Sequence, residues 1–283
     1  MRRRQLLVAA PALLGVAAGL MAETEPAAAT GFAAAEFQQT WQRDEAGLAG
    51  FWGDLAKAGN GFGETWNDAP GGTRLVQYFP SGRMEQTTPG GPVTSGALVR
   101  EMVTGVVDLG GGRTQQLGAP NVRIFGSEAD EVGGITTIPT FADLAKLPRF
   151  AIPGQTPLAY QLDRNRQWQA SGVARTIAQG EATDNDYSGY VQDPTGTYQQ
   201  TVYRDIYDVI ENRLGARIAE TTGYPITPHF KLFLANALHD VQVFERRIIV
   251  NAYFDDRPEG QKLYNAAFYT GTAYYNWRYA NAK

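Results

Sequence analysis

The stretch RLVQYFPSGRMEQ, residues 74–86, sets the reading of the whole chain. Leu75 to Phe79 reads as a strand, Pro80-Ser81-Gly82 supplies the backbone angles of a short reversal, and Arg83 to Gln86 returns as a second strand. The hairpin so formed sets Arg74, Arg83 and Glu85 beside Tyr78 and Phe79. A second well-patterned block lies near the C-terminus. Lys231 to Leu234, Val241 to Phe244 and Ile248 to Tyr253 read as antiparallel strands, followed by a loop over 255–260 and a tyrosine-rich end.

Helical signals sit around these strands. Residues 30–45 are alanine-rich, with Phe32, Phe37 and Trp41 at near-helical spacing, and predict a lead-in helix. The segment that follows, up to Gly72, reads as a loop layer tacked down by Phe51, Trp52, Phe62 and Trp66. Over 93–105 the sequence VTSGALVREMVTG predicts a helix capped by Thr94 and stopped by Gly105, with Leu98, Val99, Met102 and Val103 on one side. The alternation of Val99, Glu101 and Val103 also suits a strand. Thr201 to Leu214 carries an apolar stripe of Val202, Ile206, Val209 and Ile210, with Gly215 as its stop. The expectation is an α+β fold: one compact domain over 30–283, with a few short helices on a mainly antiparallel sheet that holds both the 74–86 hairpin and the 241–253 strands. The domain is divisible into two subregions, 30–160 and 161–283, and its two best-patterned blocks, about 74–105 and 223–279, flank a less regular middle.

Composition bounds the function. A chain of 283 residues with 43% hydrophobic content can bury a substantial core, and 32 Gly with 15 Pro suit a loop-rich α+β domain. Residues 1–29 read as a secretory signal: three arginines, an apolar run from Leu6 to Ala22, and small residues at Ala27-Ala28-Ala29. Arg3-Arg4-Gln5-Leu6-Leu7 is also similar to a twin-arginine export signal, with ordinary secretion the alternative. The apolar run is short for a spanning helix, so no membrane span is expected once the leader is cleaved. Cysteine is absent, which removes disulfides, thiolate metal sites and cysteine nucleophiles. A net charge of −4 without a basic run argues against nucleic acid as a partner.

Motifs for common chemistries are missing or incomplete. His229 and His239 lack zinc-site spacing, and no Gly-x-Ser-x-Gly elbow occurs. In DNDYSGYVQD, residues 184–193, Asp184, Asp186 and Ser188 before Gly189 resemble the opening of a calcium loop. Thr195 stands where the closing bidentate glutamate belongs, leaving Asp193 as a partial substitute, and a plain polar loop explains the same letters. No other cofactor is expected. Paired carboxylates for glycoside hydrolysis would come from Glu85, Glu101 or Glu245. In VQVFERRII a strand would put Glu245 and Arg247 on one face and Arg246 on the other, as in a cross-strand ion pair. Tyr274, Tyr275, Trp277 and Tyr279 are candidates for stacking on sugars, although such rings also fill cores.

PGGTRLVQYFPSGRME (70–85), VTSGALVREMVTG (93–105), TGYPIT (222–227), VFERR (243–247) and YYNWRY (274–279), together with Trp41 and Asp44, resemble a family of uncharacterised exported proteins and modules of filamentous, Chloroflexi-type bacteria. The resemblance implies a place among surface-exposed and cell-wall-associated proteins and no particular activity. Pro228-His229-Phe230 and Ala273 stand where that family carries a Glu-Pro-aromatic continuation and a histidine, so histidine chemistry does not carry over. Arg74, Arg83, Glu85, Glu101, Glu245 and Arg247 fall in the resembling blocks. They are expected to form a structural charge network joining the two halves of the domain. The functional expectation is a non-enzymatic cell-envelope or extracellular module whose partner is a glycan or another envelope protein, with a paired-carboxylate polysaccharide hydrolase as the alternative.

Overall fold

The strand period of two explains how one hairpin serves two different environments. Thr73–Phe79 and Gly82–Gln86 pair antiparallel, with Val76 opposite Glu85 and Tyr78 opposite Arg83. Alternate residues therefore sort by face: Arg74, Val76, Tyr78, Arg83 and Glu85 lie on one side, and Leu75, Gln77, Phe79 and Met84 on the other. The computed structural model describes residues 31–47, 50–124, 137–147, 158–173, 189–192, 198–201, 221–224, 226–227, 230–234, 237–252, 264–266 and 270–279. The leader at 1–29, the helix expected over 202–214, the calcium candidates Asp184, Asp186, Ser188 and Asp193, and His229 lie outside them.

Within these residues the fold is α+β, with antiparallel sheets and a few short helices. Helix α1 (Ala35–Gly47) leads into the first sheet, of four strands in sequential order: β1 (Phe62–Thr65), β2 (Thr73–Phe79), β3 (Gly82–Gln86) and β4 (Val93–Ser95). Helix α2 (Leu98–Thr104) follows, then the hairpin β5 (Val106–Asp108) and β6 (Thr114–Gln116), and the single turn α3 (Phe141–Leu144). Next come β7 (Leu158–Leu162), β8 (Trp168–Val173) and the separate hairpin β9 (Gly189–Gln192) and β10 (Tyr198–Thr201). Strands β11 (Phe230–Leu234), β12 (Ala237–Val243), β13 (Ile248–Ala252) and β14 (Tyr264–Ala266) complete a second sheet, ordered β14-β13-β12-β11-β7-β8. Only its β11–β7 pair is parallel. Helix α4 (Thr270–Tyr279) ends the described chain.

Four expectations need correction. The 74–86 hairpin and the 241–253 strands occupy different sheets, not one. They meet through side chains instead: Val76 and Tyr78 share a core with Phe230, Val241, Val243, Ile248 and Tyr274. Thr94 is no helix cap, because it pairs with Glu85 as part of β4, where its branched side chain suits a strand. Helix α2 starts after Ala97 without a side-chain cap, and Gly105 in the left-handed region (φ 70°) ends it as expected. The expected loop before Gly72 contains strand β1, whose Phe62 and Glu64 face the same side as Val76 and Arg74. Finally, FERR is a turn. Val243 pairs with Ile248, and Phe244 N–H donates to the Arg247 carbonyl at 2.8 Å, so Glu245 and Arg246 occupy the hairpin tip.

Candidate functional site

The charged face of the first sheet lies under helix α4, and the two together form a buried polar cluster. Glu64 is its centre. One carboxylate oxygen of Glu64 lies 3.0 Å from a guanidinium nitrogen of each of Arg74, Arg83 and Arg278, and the other accepts from Tyr78 Oη at 2.9 Å and from Tyr279 Oη. Glu85 takes Arg74 Nη1 and Arg83 Nε at 2.8 Å each, and a further bond from Arg83 Nη2. Tyr78 relays the network by accepting from Arg83 Nη1 at 3.0 Å and donating to Glu64. Glu101, from α2, accepts from the Tyr274 hydroxyl, which accepts in turn from Arg278 Nη1 at 3.0 Å.

Ring faces complete the enclosure. Arg74 lies over Trp66 at 4.0 Å, and Arg83 lies 5.1 Å from the Tyr274 ring. Three guanidinium groups thus face two tightly paired carboxylates and a third, Glu101, beneath Tyr274. Their environments separate the three acids. Burial works against ionising Glu64, but Arg83, Arg278 and Arg74 overcome it and hold the group at about 2. Glu85 is likewise buried yet lowered, by Arg83 and then Arg74. For Glu101 burial prevails over the pull of Arg83 and the Tyr274 hydrogen bond, and its value rises. Desolvation also raises Tyr78 and Tyr274, keeping both as neutral phenols that can donate.

Arg74, Arg83 and Glu85 of the expected network therefore meet directly, and Glu101 joins through Tyr274. Glu245 and Arg247 do not join. Glu245, at the hairpin tip, pairs with Arg100 at 3.2 Å and accepts from Tyr224 N–H, also at 3.2 Å. Arg247 goes to the opposite face of the first sheet, 4.4 Å from the ring centroids of both Phe51 and Trp52, and donates to the Ser81 carbonyl. Burial pushes it down to about 9, opposed by Asp44, whose carboxylate accepts from Trp52 Nε1 at 2.9 Å.

The four aromatic candidates divide along helix α4. Tyr274 is fully buried and stacks on Tyr78 with ring centroids 6.1 Å apart, so it belongs to the core. Trp277 is fixed by its Nε1 on the Gly118 carbonyl at 3.1 Å. Tyr275 and Tyr279, one turn apart and half-buried, lie 5.1 Å from each other by centroid, and Phe62 stands 5.9 Å from Tyr279. Sequence reasoning missed Glu64 and Arg278. Glu64 carried a signal in the alternation of FGET, and Arg278 in its spacing four residues after Tyr274.

Among the described residues, no group of three or more His, Asp or Glu side chains is placed to hold a metal ion. None of the described helices is long and apolar enough to cross a membrane. Comparisons with protein-family models, curated proteins and solved structures find no match to this chain.

Proposed function

We propose that the protein is an exported cell-envelope or extracellular module that binds a glycan through the half-buried rings Phe62, Tyr275 and Tyr279, with the buried charge cluster as their rigid support. The observation that carries this reading is the join between the two. Tyr279 presents its ring beside Phe62 and Tyr275 while its hydroxyl is anchored on Glu64, so ring positions are fixed before a ligand arrives. Flat rings of that kind suit the C–H faces of sugars, and pre-ordered side chains lose less entropy on binding. Export is supported by the reading of residues 1–29 as a secretory signal and by the resemblance to exported envelope modules.

The hydrolase reading draws on one feature, the opposed shifts of Glu101 and Glu85, which is how environments separate an acid from a base. Against it, both carboxylates are at least nine-tenths buried, and Glu85 is already engaged by two arginines. The test is incubation of the protein with peptidoglycan and a panel of polysaccharides, measuring retention and released reducing ends. Retention without release, reduced about tenfold by Tyr275→Ala, is the expected result for a stacking residue whose loss removes roughly 1–1.5 kcal/mol. Release abolished by Glu101→Gln in a folded variant would replace the module by a hydrolase.

A further inference from the structure

The rings Phe62, Tyr275 and Tyr279 belong to two short elements, β1 and helix α4, and each element carries one charged residue, Glu64 and Arg278 respectively. These two are spent on each other. Arg278 Nη1 lies 3.0 Å from the Glu64 carboxylate, with side chains 7% and 3% exposed, and it also donates to the Tyr274 hydroxyl. Arg74 and Arg83, beside Glu64 on the sheet, are likewise buried and are held by Glu64 and Glu85. What β1 and α4 expose besides the rings is therefore uncharged, with Thr65 exposed and Thr272 and Asn276 partly so. The rings are also far from coplanar. Tyr275 and Tyr279 are tilted by 50°, and Phe62 meets Tyr279 at 75°.

We propose that the ligand of these rings is an uncharged glycan, met as a single soluble chain or chain end. The proposal rests on the reading of the rings as a glycan platform and names the class of sugar that suits it. Stacking takes water off the ring faces, and a uronate, sulfate or phosphate drawn into that contact would lose hydration with no free cation of β1 or α4 to receive it. Sugar hydroxyls carry no such cost, because they stay in water or meet neutral hydroxyl and amide groups at the margin. The tilt sets the form of the ligand. A packed polymer presents a flat face, which touches several rings only where they share a plane, and rings set at 50° and 75° make a corner instead. With centroids 5.1 and 5.9 Å apart, two neighbouring rings can meet the C–H faces of one sugar in a chain that is free to turn.

The probes are dextran, a soluble mannan and a soluble β-glucan as neutral chains, polygalacturonate as an acidic chain, and microcrystalline cellulose as a packed one. Retention of the protein on each is compared at about 0.1 and about 1 M NaCl, between which the screening length falls from about 10 to about 3 Å. The expected result is retention on at least one soluble neutral glycan, changed less than about twofold by salt and reduced about tenfold by Tyr275→Ala, with none on polygalacturonate or cellulose. Retention on polygalacturonate that salt abolishes, or on cellulose in preference to the soluble chains, would overturn the inference while leaving the platform in place, provided that it depends on Tyr275. Retention on no polymer, or retention that Tyr275→Ala leaves unaltered, would overturn the platform and the inference together. If Tyr275→Ala does not fold, aromatic-region NMR spectra of the wild-type protein decide the matter. Tyrosine ring signals should shift saturably with a neutral glycan, a shift with polygalacturonate alone would refute the uncharged class, and no shift with any polymer would refute the platform.

Discussion

Arg83 and Arg247 are both fully buried, and one short turn, Pro80-Ser81-Gly82, brings them close, but the two faces of the first sheet compensate them in opposite ways. Arg83 meets Glu64 and Glu85 in a network where each carboxylate serves more than one arginine. Arg247 meets two ring faces and a carbonyl, with its nearest carboxylate, Asp44, on the far side of an indole hydrogen bond. The comparison separates two solutions to one problem. Carboxylate pairing answers both the charge and the N–H donors of a guanidinium, whereas ring faces answer the charge and leave the donors open. The first gives a rigid, cross-linked support, and the second leaves two buried N–H groups without a partner.

The largest effect is expected from breaking the centre of the first solution. Glu64→Ala leaves Arg74, Arg83 and Arg278 buried with one tightly bound carboxylate among them and frees the hydroxyls of Tyr78 and Tyr279. Removing one partner of a buried network costs about 3–5 kcal/mol, which urea unfolding would measure as a lower midpoint with an unchanged slope. Because Arg278 and Tyr279 both reach Glu64 from helix α4, that helix should also lose hydrogen-exchange protection before the sheet does. A variant within about 0.5 kcal/mol of wild type would mean that the network contributes little.

A matched pair of substitutions tests the contrast itself. Arg83→Met removes the arginine that Glu64 and Glu85 share with Arg74, leaving the two buried carboxylates under-compensated, and is expected to cost about 3–5 kcal/mol, whereas Arg247→Met removes open donors, keeps an apolar chain against Phe51 and Trp52, and should fall within about 1 kcal/mol of neutral. Equal losses in the two variants would show that ring faces and carboxylates compensate a buried guanidinium alike.

Much of this arrangement could be read from residues 74–86, because strand alternation alone puts Arg74, Tyr78, Arg83 and Glu85 on one face once the Pro-Ser-Gly turn is recognised. The C-terminal strands were readable for the same reason, from their β-branched and aromatic runs. Sequence could not show that the two blocks form separate sheets, since pairing partners distant in the chain leave no local signal. Nor could it assign Arg247. FERR has strand-like letters, and only the pairing of Val243 with Ile248 turns it into a hairpin tip and sends the two arginines to different neighbours. Glu64 was hidden by glycine-rich surroundings that read as loop, although its strand is only four residues long.

The smallest effect concerns Glu101, which sharpens the comparison by asking how far the carboxylate solution extends. Its two neighbours in the cluster and Glu101 itself should respond to pH with opposite signs. Glu64 is held at about 2 against an ordinary 4.5, so its contribution is present above 4.5 and is lost as pH falls toward 2. Glu85, also lowered, acts in the same direction. Glu101 is raised, so the native state keeps its proton longer than the unfolded chain. Its contribution is full below 4.5 and fades as pH rises through the folded value. Glu101→Gln keeps an acceptor for the Tyr274 hydroxyl but cannot ionise, and the other acids are common to both proteins. The difference between variant and wild-type stability should therefore shift in favour of the variant above about pH 4.5 when urea midpoints are compared from about pH 4 to about pH 8. A difference that stays flat with pH would place Glu101 among ordinary carboxylates, and one that moves toward wild type would mean that Arg83 and Arg278 hold it ionised, completing a cluster of three paired acids.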